Sequence, residues 1–264
     1  MDDADDAASG PPLAAETTET AADRLAAAAV ALLPTGSTEQ HGPALPLGTD
    51  TMAAEAVARG LDRDDVVVLP TVPVGVSAHH RQFDGSLWTE PETFERYVGE
   101  VLAAAASHGV RKAVVVNGHG GNDDALRRTA RRLRADGVAF AAPWNWWSNL
   151  GDLHAELFDG STPGHAGAAE TSMIARVAPE LVREARVASA DAGAGDGTTP
   201  APTGTGVDWD FADVSESGAT GRPGLWSAEA GDALFEAALD DLGVLVDWLA
   251  TTPFDELLPA EHRR

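Results

Sequence analysis

The chain has no cysteine, and among its basic residues only Lys112 is a lysine; the rest are arginines. Without cysteine there is no disulfide framework, no thiolate metal site and no thiol nucleophile. Long apolar runs are also missing. The longest, Leu25–Leu33, falls well short of the ~20 residues of a membrane span. Positive charge is scarce: 18 Lys+Arg stand against 42 Asp+Glu, a formal net charge of -24 over 264 residues. Such a balance argues against nonspecific nucleic-acid binding, which needs cationic surface to displace counterions, and against docking on anionic lipid. The acidic start, Met1 to Asp6, is unlike a secretory signal, which begins basic.

What is present is ordinary globular material: 44% of residues are hydrophobic, enough for a real core. The acidic residues are spread along the chain rather than gathered in a tail. Their repulsion is screened within about 10 Å at 0.1 M salt and about 3 Å at 1 M. Acidity with almost no lysine reads as a cytoplasmic protein of a high-salt organism, haloarchaeal in origin.

Short all-apolar strands alternate with longer helical segments. Strands are expected at Val30–Pro34, Asp65–Leu69, Lys112–Val116 and Val138–Ala142. Helices are expected at 17–29, at Thr51–Arg59 with Thr49 or Asp50 as cap, from a capping box at Thr89–Glu92 to His108, at Asp123–Asp136, from Gly164 to Val177, and at Ala228–Leu249. This pattern predicts a single α/β domain with a mostly parallel sheet covered on both faces. Its expected bounds are 17–252, between a mobile acidic tail at 1–16 and a C-terminal tail at 253–264, with a long surface loop at Ala190–Gly206. In such sheets the site lies at the carboxyl ends of the strands, and two His-bearing loops emerge there.

The first of these loops is Gly36-Ser37-Thr38-Glu39-Gln40-His41-Gly42-Pro43, closing at Thr49-Asp50. Glu39 and His41 stand two apart, so an extended backbone points both the same way. Oxygen and nitrogen donors without thiolate suit Zn, Mn or Fe, and a carboxylate such as Asp50 can bridge two ions. A turn with merely solvated side chains is the alternative. The second is Asn117-Gly118-His119-Gly120-Gly121-Asn122, with His119 as ligand candidate. The rival reading, a phosphate cradle at the next helix, lacks the Lys and Ser/Thr of a Walker loop. A third group pairs His165 with Glu170. Serine catalysis through Ser37 is disfavoured, since no Gly-x-Ser-x-Gly elbow occurs.

Together these motifs resemble the creatininase (creatinine amidohydrolase) family, from Leu33 through Asp50, from Val116 through Asn122, and from His165 through Ser172. A weaker echo runs from Val214 to Gly221. The resemblance implies a three-layer α/β/α sandwich with a centre of two divalent metal ions (Zn, Mn or Fe) hydrolysing a C–N bond of an amide, lactam or peptide. Carried over, Glu39 and His41 each bind one ion, Asp50 bridges both, and His119 joins the ion of Glu39. Creatininases carry a glutamate two residues after that histidine; here Gly121 stands there, and Glu170 is expected to supply the ligand. The family also includes peptidases trimming the mycofactocin precursor and deformylases acting on a formylamino-pyrimidine ribonucleotide.

Two cations sharing a bridging water make hydroxide available near neutral pH. His165 is the expected proton donor to the leaving nitrogen, because imidazole titrates near working pH. The expected pocket residues are His80, Trp144, Trp146, Asn117 and Gly120, with Trp147 beside them. Small-molecule or peptide amides are the expected partners, and a homo-oligomer the expected assembly. Arginines on the helix 123–136 (Arg127, Arg128, Arg131, Arg132 and Arg134) are candidates to meet another subunit. A non-catalytic metal-binding protein on the same fold is the competing class.

Overall fold

The computed structural model describes residues 12–161, 163–196 and 209–260. Among these the chain forms α1 (Thr18–Ala27), β1 (Val30–Thr35), α2 (Thr49–Gly60), β2 (Val66–Val68), α3 (Pro91–Ser107), β3 (Lys112–Asn117), α4 (Asp123–Ala135) and β4 (Phe140–Asn145). Then follow α5 (Gly151–Leu157), α6 (Ala168–Val177), α7 (Glu184–Ala192), α8 (Phe211–Val214), α9 (Ala228–Thr251) and α10 (Phe254–Leu257). The four strands pair in parallel in the order β2-β1-β3-β4. Chain direction across the sheet reverses between β1 and β3. That switch point leaves a crevice at the strands' carboxyl ends.

Alternation along each strand divides the core in two. Val30, Leu32, Val114 and Val116 pack under α2 and α9, against Ala54, Val57, Leu234, Leu242 and Val246. Ala31, Leu33, Ala113 and Val115 pack under α3 and α4, against Phe94, Val98, Leu102, Leu126 and Leu133. The sandwich is therefore the expected three layers, with both faces of the sheet dry. No helix among the described residues is long and apolar enough to cross a membrane.

Several local expectations change. The Thr89–Glu92 capping box does not form: Glu90 takes the cap position, and the Thr89 hydroxyl bonds the Gly75 carbonyl at 3.4 Å. Asp50 lies in the first turn of α2, whose cap is Gly48. Residues 253–260 are docked rather than a tail. Leu257 is buried, Arg111 stacks over Phe254 at 3.7 Å, and Arg134 donates to the Leu257 carbonyl at 2.7 Å. Before α1, Leu13 packs against the α3/α4 side of the core. Residues 190–192 close α7 instead of opening a loop; the rest of that expected loop from 197, and residues 1–11 and 261–264 of the tails, lie outside the described residues.

The arginines of α4 are mostly engaged within the chain. Arg128 and Arg132 both reach Glu95 of α3, the first on its carboxylate at 2.6 Å and the second on its carbonyl at 3.3 Å. Lys112 stands at the start of β3, under the end of α9. Its Nζ donates to the carbonyls of Leu249 at 2.6 Å, Ala250 at 3.2 Å and Thr252 at 3.2 Å. Three donors on one cation satisfy carbonyls that a helix end leaves without partners.

Candidate active site

Three loops converge over the switch point. After β1 the chain carries Glu39 and His41, and α2 then delivers Asp50. After β3 it carries His119. The turn into α6 brings His165 and Glu170. Close approach is built in: a Cβ on Gly118 would stand 2.1 Å from the Asp50 carbonyl oxygen, so only glycine lets α2 come this near.

Two groups of possible ligand atoms result, Glu39–Asp50–His119 and His41–Asp50–Glu170, with Asp50 common to both; a third, Glu39–His41–His165, adjoins them. His41 Nε2 lies 2.9 Å from Asp50 Oδ1 and 3.8 Å from Glu170 Oε2. His119 Nδ1 lies 3.2 Å from both Glu39 Oε1 and Asp50 Oδ2. His165 Nδ1 is 3.6 Å from Glu39 Oε1.

Backbone carbonyls fix the tautomers of these rings. His41 Nδ1 donates to Glu39 O at 3.1 Å, His119 Nε2 to Val76 O at 3.0 Å, and His165 Nε2 to Gln40 O at 2.7 Å. In each neutral ring the other nitrogen keeps its lone pair and turns it toward the carboxylates. Both oxygens of Glu39, and Oδ2 of Asp50, are buried without a hydrogen-bond partner. Ring nitrogens set 2.9–3.2 Å from carboxylate oxygens are a donor set suited to divalent cations once the rings are neutral.

Without an ion, the carboxylates draw protons onto two of these rings. Burial favours a neutral His41, but the Asp50 carboxylate, then Glu170 and Glu39, raise its pKa to about 9. His119 is likewise raised well above the ordinary value, the Glu39 and Asp50 charges outweighing burial. Burial pushes Glu39 up, yet the His119 charge and the close approach of the His119 and His80 rings carry it well below the carboxylate range. Burial raises Glu170 to about 7. His165 differs from the expectation of a ring titrating near neutrality. Burial, then the His41 charge, holds it well below its ordinary value.

A cavity of about 340 Å³ opens onto these groups, lined also by His79, Gly120, Trp146, Trp147, Leu150, His154, Phe211 and Leu234. Of the expected pocket residues, His80, Trp146 and Gly120 line it and two do not. Trp144 belongs to β4, buries its ring among the core residues and donates from Nε1 to Asp241 at 2.7 Å. Asn117 sits beneath the loop as a brace, accepting from the Thr35 hydroxyl at 3.1 Å and donating to Asn145 Oδ1 at 2.8 Å. Phe211, Gln40 and His154 carry no sequence-level signal of their own. Gln40 stands inside the most specific motif, but nothing there assigns it a task.

Gly121, where the creatininase pattern leads one to expect a glutamate, has no room for a side chain. A Cβ there would meet His119 Nε2 at 2.3 Å, Val76 O at 2.4 Å and His79 Cε1 at 2.9 Å. Glu170 approaches from α6 instead, its carboxylate held by the Ala166 backbone N–H. Ala166 itself has φ 51°, an uncommon conformation for a residue with a Cβ.

A parallel three-layer sandwich with this carboxylate–imidazole centre at its switch point presents a candidate metal site of the kind that metal-dependent hydrolases use. The family described as creatinine amidohydrolase matches residues 14–246, and the chain belongs to that creatininase family. It is 33% identical over 220 residues to the mycofactocin precursor peptide peptidase of Mycobacterium ulcerans (strain Agy99), covering 80% of this chain and 81% of the relative. To the creatinine amidohydrolase of Pseudomonas putida it is 28% identical over 176 residues, 60% of this chain and 68% of the relative. The fold matches a crystal structure of creatininase with a TM-score of 0.74 at 21% identity, over 91% of this chain and 98% of the other. Solved creatininases with similar TM-scores include a Zn–Zn form and a Mn form.

Proposed function

We propose that this chain is a metal-dependent amidohydrolase that cleaves a peptide C–N bond, acting on a small precursor peptide as its mycobacterial relatives are named to do. The observation that carries the reading is the pair of ligand groups sharing Asp50, opening onto an apolar cavity. Glu39, Asp50 and His119 would hold one divalent ion, and His41, Asp50 and Glu170 the other. When bound, such ions (Zn, Mn or Fe) acidify water and polarise an amide carbonyl.

The cavity wall favours one of the candidate substrate classes. No lysine or arginine lines it among the described residues. A phosphorylated ribonucleotide calls for such cations, so formamide removal from that substrate class is disfavoured. Trp146, Trp147, Leu150, Phe211 and Leu234 instead suit apolar groups flanking an amide. His165 Nδ1 keeps a lone pair at the cavity because its Nε2–H is spent on Gln40 O. Water adds to the carbonyl carbon, the C–N bond breaks, and the water proton passes through His165 Nδ1 to the departing nitrogen. The second water proton follows to the same nitrogen, and the products are a carboxylate and an ammonium.

The test is metal content by mass spectrometry together with peptide turnover. The parent should carry close to two ions and release amine from a library of short apolar peptides. Asp50→Asn should lose most of both ions and at least about a thousandfold in kcat/KM, since an amide bridges without charge. Full metal in Asp50→Asn defeats the shared-ligand assignment. Turnover of a phosphorylated formamide without any peptide cleavage defeats the substrate class. Two ions bound with no turnover on either places the chain in the non-catalytic class.

A further inference from the structure

The amide of Gln40 is oriented by the backbone on both sides. Its Oε1 accepts from Gly42 N–H at 2.9 Å, and its Nε2 donates to Gly218 O at 2.8 Å. The seat is made by glycine: Gly218 has φ +83°, and a Cβ on it would stand 1.9 Å from Gln40 Oε1. With oxygen and nitrogen so assigned, the amide has one hydrogen left. Two ring nitrogens lie near it, His80 Nδ1 at 2.9 Å and His165 Nε2 at 3.1 Å. The His165 nitrogen already carries a proton, because it sits 2.7 Å from the Gln40 carbonyl oxygen. The remaining hydrogen therefore goes to His80 Nδ1, which accepts it with a lone pair.

This fixes the other nitrogen. A proton on His80 Nδ1 would set N–H against N–H at 2.9 Å, so the ring proton resides on Nε2. Phe211 holds the plane of the ring, its centroid 4.1 Å away at 22°. His80 Nε2 lies 3.1 Å from Glu39 Oε1, but that oxygen has no partner of hydrogen-bond geometry. Among the described residues, His80 thus brings to the cavity wall an N–H whose nearest acceptor, Glu39 Oε1, stands outside hydrogen-bond geometry. Gln40 is not among the residues lining that cavity; it acts only through the rings it touches.

We infer that Gln40 is a positioning residue that locks His80 as the Nε2–H tautomer, and that His80 donates this N–H to the substrate's amide oxygen as charge builds on it. The histidines that present lone pairs are ligand candidates; His80, built the opposite way round, is a donor. The inference rests on the amidohydrolase reading for its second half only. The tautomer stands or falls without any substrate.

The experiment is ring-nitrogen NMR on metal-loaded protein labelled with 15N-histidine, with His80 assigned by its loss in His80→Asn. The expected spectrum shows Nε2 protonated, Nδ1 of acceptor type and neither bound to metal. Gln40→Glu keeps an acceptor for Gly42 but has no hydrogen to give, so it should move the proton to Nδ1. It should also lower kcat about 10²–10³-fold, the usual cost of one oxyanion donor, with KM within a few-fold and metal content unchanged. Gly218→Ala, which unseats the amide, should reproduce the tautomer change. A parent ring protonated at Nδ1, or coordinating metal through Nε2, overturns the proposal without reference to turnover. A tautomer change with kcat intact removes the donor role. No hydrolysis by the parent, with the expected tautomer seen, would instead count against the amidohydrolase reading.

Discussion

Glu170 shows how one residue serves the site at the expense of the fold. Burial raises its pKa from 4.5 to about 7. An acid raised in this way favours folding in its protonated form, so its contribution is fullest below the unfolded pKa and is lost as pH rises through about 7. His41 has the same sign: raised to about 9, it supports the fold below its unfolded value and ceases to as pH climbs through about 9. In metal-free protein, Glu170→Gln should therefore melt above the parent near pH 8, by roughly 1–3 kcal/mol, and show a flatter pH profile between about 4.5 and 7. With metal present the order should reverse, because on the proposed assignment the variant gives up a ligand of one of two ions. Calorimetry under both conditions checks this; an unchanged metal titration returns Glu170 to a purely structural place.

At the scale of elements, the turn joining β3 to α4 is where the chain departs from the creatininases it resembles. Glutamate at position 121 should not restore a ligand. Its Cβ collides with the His119 ring and the Val76 carbonyl, at a cost of about 1–3 kcal/mol or more. Gly121→Glu should thus melt several degrees lower and hold less metal than the parent. A variant that keeps its melting temperature and binds both ions would refute this account of the turn. The ligand candidates were legible in the sequence because each loop carries its residues contiguously, and the expectation for Glu170 came from the gap at Gly121; the structure brings it within 3.8 Å of His41. The strands were legible as short apolar runs. Gln40 stayed silent because its task depends on Gly218, 178 positions away. Phe211 and His154 sit on short helices with no periodicity to mark them. Trp144 misled because a tryptophan cluster reads as one wall, whereas β4 sends Trp144 into the core and its end sends Trp146 to the cavity.

For the whole molecule, charge dominates. The salt bridges on the surface are individually weak, while -24 of net charge repels throughout. Screening should win: the melting temperature should rise as salt goes from about 0.1 M to about 1 M and above. A flat curve would show that the acidic surface is not tuned to salt. The same composition leaves one ε-amine in the chain, and the fold ties it to three carbonyls at the end of α9. Amine-directed chemistry therefore meets an unusual target. Succinimidyl esters and aldehydes find no exposed lysine to attack, so side-chain amines give glutaraldehyde nothing to cross-link between copies. Lys112 holds its amine against three carbonyls, so its acylation should quicken when the end of α9 lifts away, and its rate reads that opening at a single site.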